Sequence, residues 1–171
     1  MKKIICLILS LVLLLSLTAC GSGLLTYKSA LDGFFDVISG EANKSKLKNM
    51  LPSEVWEHME DEYDMDFDDF ADEYEDNKED LVDELESMYG DNVKISYTVE
   101  DEDELDEDEL DELREELDYY GIDEDDVKQA YELELTVTAE GEDDSEEEEM
   151  TVTAIKIGNK WYIYELLYFL L

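Results

Sequence analysis

From Trp56 to Tyr74 the chain returns an aromatic residue or a methionine every three or four positions, through a stretch otherwise made largely of Asp and Glu. Trp56, Met59, Tyr63, Phe67, Phe70 and Tyr74 follow at spacings of 3, 4, 4, 3 and 4, and Leu81, Leu85 and Met88 continue the series up to Gly90. That is the period of one helix face, and a helix with an apolar face must bury it against something. The feature matters because the composition argues the other way. With 51 acidic against 12 basic residues and a formal net charge of −39, the chain carries a balance that normally keeps a polypeptide disordered. Eleven Tyr, five Phe and two Trp at regular spacing supply the apolar surface that a disordered acidic chain lacks. The expectation is one folded domain of ordinary size, with the acids on its outside. Trp56, Phe67, Phe70 and Trp161 are expected in its core.

Other helices bracket this one. Tyr27, Leu31, Phe34, Phe35 and Ile38 share a helical face, and Gly40 ends that helix. Asn43 suits the N-cap of a short helix through Met50, in the least acidic part of the chain, near Lys44, Lys46 and Lys48. Pro52 restarts a helix in its first turn, where a missing N–H costs nothing. From there to Gly90 the pattern fits one long amphipathic helix or two in tandem.

The period then becomes two. Val93, Ile95, Tyr97 and Val99 alternate as a half-buried strand. Glu100 to Asp118 reads as an acidic insert. Its Leu105, Leu110, Leu113 and Leu117 predict a short helix closed by Gly121. Tyr131 to Ala139 is a longer strand, 141–149 an acidic turn, and Met150 to Ile157 the next strand. Gly158-Asn159 fits a two-residue hairpin leading into a last strand over Lys160 to Phe169. A slip in the alternation at Ala154-Ile155 suggests a β-bulge. Helices first and an antiparallel meander last give an α+β fold: N-terminal helices on a curved antiparallel sheet, with an acidic helical insert.

Two resemblances add to this reading. Met1-Lys2-Lys3, the apolar run Ile4 to Leu17 and the small residues after it form the layout of a cleavable signal. Fourteen residues, broken by Cys6, Ser10 and Ser16, are too few for the roughly 20 that a spanning helix needs. Leu17-Thr18-Ala19-Cys20, ahead of Gly21-Ser22-Gly23, resembles the bacterial lipobox. The resemblance implies cleavage before Cys20, a diacylglycerol on its thiol, and a membrane anchor on the extracytoplasmic face. The expected organisation is a signal peptide over 1–19, lipidated Cys20 with a spacer over 20–26, and one acidic domain over 27–171. Processing would remove Lys2 and Lys3 and take the net charge from −39 to −41. The second resemblance rests on the N-terminal helix with Phe34-Phe35, the following Gly-Glu-Ala-Asn, and the terminal Ile-Lys-Ile-Gly-Asn-Lys-Trp-Tyr-Ile. Together these are similar to the nuclear transport factor two-like (cystatin-like) fold, and more narrowly to small Gram-positive lipoproteins of unknown function that carry it.

The site chemistry is sparse. Nucleic acid is excluded as a partner by the lack of Lys and Arg to neutralise phosphates. Cys6 leaves with the signal and Cys20 takes the lipid, so no thiol remains for nucleophilic attack or zinc. The sole histidine, His58, lies on a helix beside Trp56. The expectation is a noncatalytic domain without a cofactor. Asp64, Asp66 and Asp68, with Glu75 at the twelfth place, imitate a calcium-binding loop. Asp69 stands where such a loop needs Gly, and the aromatic period puts the stretch on a solvated helix. Weak, diffuse divalent binding is expected at 100–109 and 142–149. Tyr97, Tyr131, Tyr162 and Tyr164 either fill the core or line a pocket for an apolar or aromatic ligand. Two functions follow: an acidic surface for a basic protein, basic peptide or divalent cations, or a carrier using the concave face of the sheet.

Overall fold

The computed structural model describes residues 27–169. The signal, the spacer and Cys20 lie outside the described residues. Four helices come first: α1 (Tyr27–Ile38), α2 (Lys44–Met50), α3 (Ser53–Tyr63) and α4 (Phe67–Tyr89). Each boundary has a local cause. Gly40 takes φ +74° after α1, where a side chain would be strained. The Asn43 carboxamide oxygen accepts from Lys46 N at 3.0 Å, as a cap should. Pro52 sits at the N-cap of α3, one place ahead of the expected first turn. Of the two arrangements open for the aromatic stretch, the tandem one is realised. Asp64 ends α3 in the left-handed conformation at φ 56°, ψ 31°, which Asp tolerates better than most residues. Asp66 then caps α4 by accepting from Asp69 N at 2.9 Å.

The sheet is an antiparallel meander in the order β1-β2-β3-β4. Its strands are β1 (Lys94–Glu104), β2 (Val127–Glu140), β3 (Ser145–Ile157) and β4 (Lys160–Ile163). β1 runs further than expected, through the acid-only stretch to Glu104, because β2 supplies a ladder for it. The pairing shifts between Val99 and Asp101, leaving Glu100 in a bulge. The acidic helix is therefore shorter than the insert and occupies α5 (Glu107–Asp118). A capping box between Asp106 and Glu109 opens it, and Leu110, Leu113 and Leu117 are buried.

Three further expectations are corrected. The acidic turn contracts to 141–144, because β3 begins at Ser145. No bulge lies at Ala154-Ile155, where the β2–β3 register is unbroken. The alternation slips there because both faces are buried: Ala154 on one, Ile155 and its neighbour Ala130 on the other. Finally β4 stops at Ile163 and a short helix, α6 (Glu165–Phe169), follows. The Gly158-Asn159 hairpin is as expected, with Ile157 opposite Lys160.

Helix α1 packs Leu31, Phe34 and Phe35 into the core with Val55 and Met59 of α3 and Leu133, Leu135, Val152 and Ala154 of the sheet. No buried side chain is polar or charged among the described residues. The aromatic stripe only partly joins this core. Trp56 is 8% exposed, and Phe67 and Phe70 lie half-buried against it at ring distances of 5.0 and 5.3 Å. Trp161 is also half-buried, while Tyr63 and Met88 are 52% and 53% exposed. Ala71 is the buried residue of α4. This helix lies on the outside of the domain, so its stripe is wider than its contact.

Candidate functional site

The register divides the sheet into two unlike faces. Ile95, Tyr97, Val99, Leu133, Leu135, Val137 and Val152 project together toward the helical side, because directly paired residues share a face. Their neighbours along each strand project to the opposite, outer face. After the Glu100 bulge, Asp101 stands opposite Glu134 and Asp103 opposite Glu132. On the next strand Glu134 pairs with Thr151, Thr136 with Glu149, and Thr138 with Glu147. The outer face thus gathers Asp101, Asp103, Glu132, Glu134, Glu147 and Glu149, interspersed with threonines. All six acids are exposed. Like charges directly opposite each other weaken a sheet, so threonine, a good strand former, and the buried inner face must hold it together. A shallow cleft of about 370 Å³ opens among Glu100, Glu134, Thr136, Glu149 and Thr151.

The ion-paired cations lie elsewhere, and Lys94, in register on this face, stands opposite Glu140 at the start of β1. Lys44 pairs with Asp68 at 3.0 Å, Lys46 with Asp36 and Lys78 with Glu75. Arg114 reaches Asp111 at 2.7 Å and Glu107 at 3.1 Å, while its guanidinium also donates to the Val127 carbonyl. None of the ion pairs among the described residues involves the six outer-face acids. Alternation along Tyr131 to Leu135 already puts Glu132 and Glu134 opposite the core. Asp101 and Asp103 carry no such signal, because every residue from Glu100 to Glu104 is acidic.

The loop-like acids have separate local tasks. Asp64 is the left-handed cap of α3, Asp66 caps α4, Asp68 pairs with Lys44, and Glu75 pairs with Lys78. Among the described residues, no group of three or more His, Cys, Asp or Glu side chains is placed to hold a metal ion.

The four tyrosines are not brought together. Tyr97 and Tyr131 share the inner face, Tyr162 projects to the outer one, and Tyr164 lies just past the end of β4. Tyr97 stacks on Phe35, with centroids 4.8 Å apart, and donates to Asp32 at 2.7 Å. Burial and then that carboxylate raise its phenol pKa. It lines a groove of about 1000 Å³ between α1 and β1, rimmed by Lys28, Asp32, Asp36, Glu41 and Lys94. Tyr131 stands apart from that groove, in an aromatic cluster with Tyr27 and Trp161 at 6.2 and 5.7 Å. Tyr27 donates to Glu102, and burial followed by that bond pushes its pKa up to about 12. Tyr162 is buried, which raises its pKa, and the Tyr164 hydroxyl donates to Glu116.

His58 is surrounded by aromatic rings, with Tyr119 at 5.0 Å, Tyr120 at 5.7 Å and Tyr63 at 6.3 Å. These are packing distances with ring edges toward ring faces. The sequence signal for the Tyr119-Tyr120 pair is two adjacent aromatics at the end of an amphipathic helix. No family model, curated protein or solved structure matches the chain.

Proposed function

We propose that this chain is a noncatalytic lipoprotein domain, anchored through Cys20 at the extracytoplasmic face of a membrane, whose acidic outer sheet face meets a basic protein or peptide. Divalent cations would gather on the same face diffusely. One observation carries the reading: six exposed carboxylates on one face of the sheet, none of them in an ion pair. Such a field raises the local concentration of cations and steers a basic partner toward it, with a strong dependence on salt. The inner face, with α1 lying along it, supports the cystatin-like form of the fold.

The test compares two sets of neutralised variants for binding to poly-lysine. Glu132→Gln, Glu134→Gln, Glu147→Gln and Glu149→Gln together should weaken binding more than Asp76→Asn, Glu79→Gln, Asp80→Asn and Asp83→Asn on α4. Equal losses would mean that total charge matters and this face does not. The groove beside Tyr97 favours a second reading, a carrier of an aromatic ligand. Binding by that route would be insensitive to salt and lost in Tyr97→Ala.

A further inference from the structure

The acidic face ends at an open ladder. β3 has thirteen residues and β4 only four, so β4 pairs with β3 over Ala154 to Ile157 alone. The pairing is extended once, where Tyr164 N donates to the Thr153 carbonyl at 2.9 Å. Beyond it the Glu165 carboxylate closes the edge by accepting from Thr153 N at 2.9 and 3.0 Å. Both backbone groups of Thr153 therefore point away from β2. Backbone direction alternates along a strand, and β3 has no register shift from Ser145 to Lys156. The N–H and C=O groups of Glu147, Glu149 and Thr151 hence point outward too. Among the described residues, nothing pairs with them.

An edge of this kind is a template for another strand, and proteins usually blunt it with a bulge, a proline or an inward charge. β1 has such a bulge at Glu100. The open part of β3 has neither a bulge nor a proline. Its guard is charge: Glu146 and Glu148 on the inner face and Glu147 and Glu149 on the outer place carboxylates on both faces along the edge, followed by the half-buried Met150. A second copy of the chain would bring the same four charges against them and is repelled.

We propose that the free edge of β3 accepts an extended basic segment of a protein partner as a fifth strand. This rests on the acidic-surface reading and deepens it. Main-chain bonds to Glu147, Glu149 and Thr151 would supply the attachment, and side chains the selectivity. The edge specifies the segment: consecutive Lys or Arg beside Glu146 to Glu149, so that both faces are matched, then an apolar residue beside Met150. Occupancy cannot extend past Thr153, where Glu165 and β4 hold the ladder.

The experiment uses the full chain and two synthetic peptides, each a run of lysines followed by isoleucine. One has ordinary amides; the other is N-methylated at every residue, which keeps the charge and removes the main-chain donors on both edges. Fluorescence anisotropy at low salt should show the first binding and the second weaker by roughly tenfold or more. Hydrogen exchange should slow at Glu147, Glu149 and Thr151 with the first peptide only. Equal affinity of the two peptides would overturn strand addition and leave the acidic-surface reading standing. Absence of binding by either at low salt would overturn both.

Discussion

Gly141→Ala tests the seam that ties the long helix to the sheet. At this position an added Cβ would sit 2.2 Å from the Tyr89 carbonyl oxygen and 2.7 Å from its carbon. Those are backbone atoms at the end of α4, and they cannot swing aside as a side chain would. The same carbonyl accepts from Asp143 N at 3.0 Å and Asp144 N at 3.1 Å, so the turn between β2 and β3 closes the helix C-terminus. Overpacking a tight contact costs about 1–3 kcal/mol, and the two strained hydrogen bonds contribute about 0.5–1.5 kcal/mol each if lost. Partial relief by movement of the turn leaves an expected loss of about 2–4 kcal/mol, a large share of the ~5–15 kcal/mol that holds a typical domain. For a domain of this size the melting temperature should fall by roughly 4–16 °C. Gly121→Ala is the control: its φ is +78°, but a Cβ there meets nothing within 4 Å, so only the left-handed conformation is penalised, at about 1–2 kcal/mol. Urea melts of both variants, with unchanged slope, give the difference. Hydrogen exchange should quicken at Asp143 and Asp144 in Gly141→Ala alone. A cost no greater than the control's, with those two amides still protected, would refute the close approach.

Cys20→Ala should leave the chain unlipidated, and mass spectrometry of the mature N-terminus should find a diacylated Cys20 only in the unsubstituted protein. Phe34→Ala, in the core, should cost about 3–5 kcal/mol, and Phe70→Ala clearly less, because its ring is half-exposed; urea melts giving equal costs would refute the placement of α4. Burial raises the Glu165 pKa, against the opposing bonds from Thr153. A raised carboxylate pKa means that the folded state binds the proton more tightly, so this contribution to stability is full below the unfolded pKa and is lost as pH rises through the folded one. Glu165→Gln should therefore gain stability relative to the parent between about pH 4 and pH 7; melts across that range that show a flat or opposite difference would contradict it. Sodium chloride, magnesium and calcium should all raise the melting temperature by screening self-repulsion, magnesium and calcium alike, and a sharp calcium-selective step would contradict the diffuse picture.

Much of the fold is written locally. The period of Tyr27 to Ile38, the Asn43 cap, the Gly158-Asn159 turn and the alternation of β2 each depend on residues a few positions apart, so they were legible in the chain. That alternation also puts Glu132 and Glu134 on the face opposite the core. Other features depend on partners far along the sequence. Asp101 and Asp103 reach the outer face because β2 imposes a ladder on five consecutive acids and a bulge at Glu100 resets their phase, and no change of hydropathy marks this. Phe67 and Phe70 belong to a helical stripe, but how much of it is buried depends on how closely α4 lies on the rest of the domain. The last strand stops at Ile163 although its apolar residues continue, because Glu165 takes the Thr153 N–H that a longer strand would have used. Periodicity therefore specified which elements form and which side of each is apolar. Burial and strand pairing, which join residues tens of positions apart, decided which acids share a face and which strand edge stays open.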